Sequence, residues 1–246
     1  MPNSSSSTDA VPSLATVRNE LRAQADPERA IHHLRFFKTG PGQYGEGDRF
    51  LGVRVPALRA LGKAHRRLPV ADALEMLRSE WHEERLLALI MLVDAYERGD
   101  ATQRQEIYNA YLLHARFINN WDLVDSSAEF IVGAHLEVAR NRAVLSRLAK
   151  SKSIWERRIA ILATFHFIKL EDFAPALRIA DILIGDTHDL IHKAVGWMLR
   201  EIGNRDGKVE RAFLVDHYKR MPRTMLRYAI ERFPERERQR YLRGDI

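Results

Sequence analysis

Trp121 and Asp125 stand four residues apart in the stretch INNWDLVDSS, at what reads as the start of a helix. Four residues is slightly more than one helical turn, so an indole and a carboxylate share one face. A fixed carboxylate and the negative face of an indole together suit a positive charge. Asn120 is a cap by residue type, and both Asp122 and Asp125 favour an N-terminal helical turn electrostatically. Those roles account for Asp122, which a wheel at about 100° per residue turns outward. Asp125 instead falls at the edge of the apolar stripe of Trp121, Val124, Ala128, Ile131 and Val132. A carboxylate bordering a core needs a partner.

The same test separates two neighbouring arginines in SIWERRIAILATFHFIK, residues 153–169. Trp155, Ile159, Leu162 and Phe165 make the apolar face; Arg158 falls between Leu162 and Phe165, and Arg157 points outward. An arginine on the packed side is either an anion ligand at an inner surface or a snorkelling side chain with a local carboxylate. In DLIHKAVGWMLREIG, residues 189–203, Trp197 lies off the core stripe toward Lys193 and Arg200. An indole between two cations is a wall for a sugar–phosphate backbone or a partly buried structural residue. His188 and His192 have ligand spacing, but the glutamate of H-E-x-x-H and a third ligand are missing, so no metal is expected. Ser126 and Ser127 lack a nucleophile-elbow context. The G-x-G-x-x-G in GPGQYG, residues 40–45, lacks the preceding strand and following helix of a dinucleotide site. It reads as a surface loop joining two helices.

The elements that must position these residues are helices from about residue 14 onward, and the class is all-α. Long apolar runs end at Gly99 and Gly203. A basic residue followed by a small-apolar run recurs as RLLALIM from Arg85, RIAILAT from Arg158, KAVGWML from Lys193 and RYAIERF from Arg227, at spacings of 73, 35 and 34. The first spacing is two units, and the missing copy begins near residue 121 or 122, at WDLVDSS. A helical period of about 35 indicates an α-solenoid of HEAT-like repeats, over a single domain at 14–246. Stacked in register, Arg85, Arg158, Lys193 and Arg227 form a ladder on a curved, basic concave face, which suits a phosphate backbone.

Composition agrees. A net charge of +6 favours a polyanionic partner. The absence of cysteine excludes disulfides, zinc ribbons, iron–sulfur clusters and thiol nucleophiles. No apolar run reaches the roughly 18 residues of a spanning helix, and residues 1–13, MPNSSSSTDAVPS, read as a disordered tail without signal-peptide features. A cytoplasmic monomer is expected.

The motifs NNWDLVDSS, IWERRIAI and HKAVGWMLRE, in this order on a basic helical-repeat chain, resemble the AlkD-like family of alkylpurine DNA glycosylases over roughly residues 14–235. The resemblance implies a HEAT-like solenoid that cradles duplex DNA and excises cationic N3- and N7-alkylated purines without base flipping, using no cofactor. It implies that Asp125 is the catalytic aspartate, that Trp121 and Trp197 hold the lesion's deoxyribose and backbone, and that Arg158 is the active-site arginine. Asn120 and Phe36 depart from an active member, which carries tryptophan and tyrosine there, and the loop over 39–52 is longer. The family includes relatives with little or no activity. An inactive HEAT-like DNA-binding module and a protein scaffold therefore remain the alternatives.

Overall fold

The computed structural model of the chain describes residues 12–246, and the elements among them are helical apart from one isolated bridge between Arg49 and Trp81. The expected tail at 1–13 lies outside the described residues as far as residue 11. Ser13 is not tail: its hydroxyl accepts the Thr16 N–H and caps the first helix. Among the described residues no helix is long and apolar enough to cross a membrane. The chain divides into two compact units, Met1–Arg98 and Gly99–Ile246, where the repeat period implies one domain over 14–246.

The first unit contains α1 (Leu14–Arg22), α2 (Pro27–Phe36), α3 (Val55–Ala64), α4 (Val70–Met76) and α5 (His82–Arg98). Helix α5 packs on α3 and α4. Its first turn, His82-Glu83-Glu84-Arg85, is buried although every residue is ionisable. Each has a partner. Glu84 receives Arg18 and Arg22 from α1, and Glu83 accepts the backbone N–H groups of Leu51 and Gly52. Asp48 takes both His82 and Arg85. The segment between α2 and α3 is thus a loop, as the sequence implies, but not merely a surface one: its second half is stitched to the start of α5. Gly52 is required there, because φ is +79° and a Cβ would strike the Asp26 carbonyl and the Ala30 nitrogen.

The second unit begins with α6 (Ala101–Leu113), α7 (Trp121–Asp125), a π-helical turn (Glu129–Gly133) and α8 (Ala134–Ala139). There follow α9 (Ala143–Ala149), α10 (Ile154–Ala163), α11 (Phe165–Lys169), α12 (Ala174–Leu183), α13 (Asp189–Gly203), α14 (Gly207–His217), α15 (Arg223–Ala229) and α16 (Glu235–Arg243). Helices α7, α10, α13 and α15 pack in succession, with α9, α12 and α14 laid against them. Their first residues, Trp121, Ile154, Asp189 and Arg223, are 33, 35 and 34 apart, which is the expected repeat. Leu123, Val124, Ile131, Ile159, Leu162, Ile191, Ala194 and Met198 form its buried stripes, the larger side chains contributing roughly 1.5–3 kcal/mol each. At Gly133 and Gly196 the successive helices approach so closely that a Cβ would fall on the Ala163 carbonyl and His166, or on the Met225 carbonyl and Tyr228. One alignment changes. Arg158, Lys193 and Arg227 each follow their helix start by four residues, so the equivalent rung on α7 is Asp125 rather than residue 121 or 122.

Candidate active site

Asn120 ends the preceding loop in an extended conformation, φ −149° and ψ 160°, and its side-chain oxygen accepts the Trp121 N–H. Because Asn120 is fully buried, this cap fixes where α7 begins. Trp121 is then half-buried, and Asp125 lies one turn on. On α10, whose N-cap is Ser153, Arg158 points into the packed side, as its place between Leu162 and Phe165 requires.

Arg158 and Asp125 meet. Arg158 Nε donates to Asp125 Oδ1 at 2.8 Å and Nη2 to Oδ2 at 2.7 Å, while Nη1 donates to the Leu190 carbonyl of α13 at 2.6 Å. One guanidinium therefore ties three successive repeats together with a bidentate grip on the carboxylate. The Arg158 side chain is 6% exposed and that of Asp125 18%, so Asp125 is the more exposed member of the pair. Burial pushes the Asp125 carboxyl above its ordinary pKa; Arg158 opposes the rise and the nearby Asp122 charge adds to it. The carboxylate is thus short of positive charge although it is ion-paired. Asp122 is not the solvated helix-end charge expected from the wheel, since its Oδ1 is buried.

The other named residues are placed differently. Trp197 on α13 is half-buried, its ring centroid 5.8 Å from Phe165, and its N–H donates to Glu201 at 3.2 Å. The indole N–H thus has a carboxylate as its partner, and the two cations expected beside the ring are themselves ion-paired, Lys193 with Asp189 at 2.8 Å and Arg200 with Glu231. Lys193 and Arg227 remain accessible, the Lys193 side chain at 40% and Arg227 exposed. Arg85 leaves the ladder. Its side chain is 4% exposed and held by Asp48 and the Ser79 carbonyl, so it cannot reach a phosphate without breaking that pair. Arg158 is likewise an inner ligand of Asp125 rather than a surface rung. Arg157, expected outward, is half-buried on Asp186 at 2.6 Å. His188 caps α13 and His192 bonds to the Asp186 carbonyl, which explains their spacing. Among the described residues no group of three or more His, Cys, Asp or Glu side chains could hold a metal.

Sequence reasoning missed Tyr111 and Ser127, whose hydroxyls meet at 2.9 Å in full burial behind Asp125. They are 16 residues apart, Tyr111 on α6 and Ser127 in the turn after α7, and no local signal joins them.

The sequence matches the family described as DNA alkylation repair enzyme over residues 17–233. Among solved structures, one from Enterococcus faecalis described as a predicted DNA alkylation repair enzyme is 15% identical, with a TM-score of 0.68, covering 86% of this chain and 98% of that one. AlkD2 from Streptococcus mutans is 15% identical with a TM-score of 0.54, over 91% of this chain and 100% of that one. The protein smu.31 from Streptococcus mutans UA159 is 15% identical with a TM-score of 0.52, over 88% and 94%. At this identity the likeness shows a shared fold. Comparison with curated proteins finds no match.

Proposed function

Because this chain belongs to the DNA alkylation repair enzyme family, we propose that it is a monofunctional DNA N-glycosylase. Its substrates are positively charged N3- and N7-alkylated purines in duplex DNA, excised without base flipping in base excision repair. The observation that carries the reading is the Asp125–Arg158 pair: a carboxylate gripped at both oxygens by a buried arginine, partly exposed, and raised in pKa by burial.

A cationic purine leaves without protonation by a general acid. As the glycosidic bond breaks, its electron pair goes to the base, which departs neutral, and positive charge develops at C1′ of the deoxyribose. A preorganised carboxylate stabilises that charge where it appears, and the negative faces of Trp121 and Trp197 add to the effect. Water attacks C1′ and loses its proton to Asp125, whose raised pKa makes it a better base than an ordinary aspartate. Arg158, the active-site arginine, aims the carboxylate. The product is an abasic site, and the hydrolysis uses no metal or organic cofactor. Lys193, Arg200 and Arg227 contact phosphates. The protein acts as a monomer on DNA in the cytoplasm.

Incubation with duplex DNA containing N7-methylguanine, followed by detection of released base, tests this. Release is expected from N7-methylguanine and not from hypoxanthine, a neutral base that needs a proton donor to leave. One observation favours an alternative, a DNA-binding module without catalysis: Arg158 already engages both oxygens of Asp125. Binding of the duplex with no release of base supports that alternative.

A further inference from the structure

The helical rod from Trp121 to Ala139 is broken immediately after Asp125. In a regular helix the Ser127 N–H would bond the Leu123 carbonyl, four residues back. Here the Ser127 hydroxyl takes that carbonyl at 2.6 Å, and the Ser127 N–H moves to Val124 O at 3.1 Å. Serine back-bonding of this kind bends helices. The Ser126 hydroxyl adds a second bond to Leu123 O at 3.2 Å. The π turn over Glu129–Gly133 comes at once after it. A π turn inserts one residue and so rotates the helical segment before it by about 100° against the segment after it. Downstream, Gly133 is pinned to the Ala163 carbonyl and His166. The break and the π turn therefore set the direction of the Trp121–Asp125 segment independently of α8.

The hydroxyl that makes the break is held from behind. Ser127 has one hydroxyl hydrogen, and Leu123 O accepts it. Tyr111 of α6, at 2.9 Å, must then donate to Ser127 Oγ. Both residues are fully buried. Burial pushes the Tyr111 phenol well above its ordinary pKa, with the Asp125 charge acting in the same direction, so it remains a donor.

We propose that Tyr111 and Ser127 are positioning residues whose hydroxyl relay breaks the helix after Asp125 and thereby aims the Trp121 and Asp125 side chains. The consequence for rate rests on the glycosylase reading above; the consequence for geometry does not.

The test compares Tyr111→Phe and the double variant Tyr111→Phe/Ser127→Ala with wild type. Removing both hydroxyls leaves no buried polar group without a partner, so the double variant is expected to fold with a near wild-type Tm. Alanine at 127 also lets the regular backbone bond return. Two readouts are followed. One is single-turnover release of N7-methylguanine at saturating enzyme, alongside duplex Kd. The other is the 19F resonance of Trp121 in 5-fluorotryptophan-labelled protein, assigned with Trp121→Phe. Expected for the double variant are a rate about tenfold lower, Kd within twofold and a shifted Trp121 resonance, with Tyr111→Phe moving the same way less far. An unmoved resonance overturns the proposal, whether the rate is unchanged or falls with Tm. If wild type releases no base, the glycosylase reading fails, while a shifted resonance still supports the positioning role and an unmoved one still removes it.

Discussion

Asp48 and Asp125 are both aspartates held by a buried arginine, one in each compact unit, and they are opposite in character. The Asp48 side chain is 4% exposed and has two partners, Arg85 and His82, the latter at 2.9 Å. Burial alone would raise its pKa, but those hydrogen bonds and charges outweigh it and hold the carboxyl below its ordinary value. Asp125 has one cation and a second carboxylate nearby, and it stays above its ordinary value. Glu210 on α14 extends the series. It is 2% exposed, its Oε1 has no hydrogen-bond partner, and burial raises it to about 8 against the weaker pull of Arg211 and Arg200, with Glu237 adding to the rise. An arginine beside a carboxylate thus does not by itself mark a site. What distinguishes Asp125 is incomplete compensation combined with partial exposure, one helical turn from an indole.

The largest expected effect is on rate. Asp125→Asn should lower single-turnover excision of N7-methylguanine by on the order of 100- to 1,000-fold, as for other lost transition-state contacts, with little change in duplex affinity. Asp48→Asn should leave the rate per folded molecule within about threefold. Equal loss in the two variants would erase the contrast.

Stability should reverse the order. Breaking the closed Asp48 pair is expected to cost about 3 kcal/mol, the usual scale for a buried pair that loses one partner. Asp125→Asn should cost less than Asp48→Asn, because burial already disfavours the Asp125 charge and an asparagine oxygen still accepts from Arg158. Urea unfolding at pH 7 measures both. The Asp48 contribution, from a depressed pKa, is present above its unfolded value near 3.8 and is lost as pH falls through the folded value.

Glu210 gives the opposite pH dependence. The folded chain keeps a proton that the unfolded chain releases, so stability falls as pH rises from 4.5 toward about 8. Glu210→Gln should therefore gain roughly 1–3 kcal/mol at pH 8 and nothing near pH 4.5. A gain of the same size at both pH values would show that the charge is not the cause.

The smallest effects concern surface charge. Lys193→Ala and Arg227→Ala should each reduce the salt dependence of duplex binding by about one unit of slope. Arg85→Ala should not change that slope in the folded fraction, since its guanidinium is enclosed by Asp48. A reduced slope for Arg85→Ala would restore the four-rung ladder that the period implies.

Helices, their caps and the repeat were legible because each depends on neighbours within a turn or two. Gly203 ends α13 as its position implies, and the stripe edges of Asp125 and Arg158 follow from 3.6-residue periodicity alone. That wheel also indicated that Asp125 needed a partner. It could not say that the partner is Arg158, 33 residues away, nor that the recurring cation at residue 85 is enclosed while that at 227 is exposed. Those outcomes depend on which helices approach one another and how much water they exclude. Tyr111 and Ser127 show the same limit from the other side: the sequence determined two ordinary polar residues, and only the packing of α6 against the π turn and α8 joined them. Periodicity is a local property of the chain, whereas burial, ion-pair choice and the resulting pKa shifts arise from long-range approach in three dimensions.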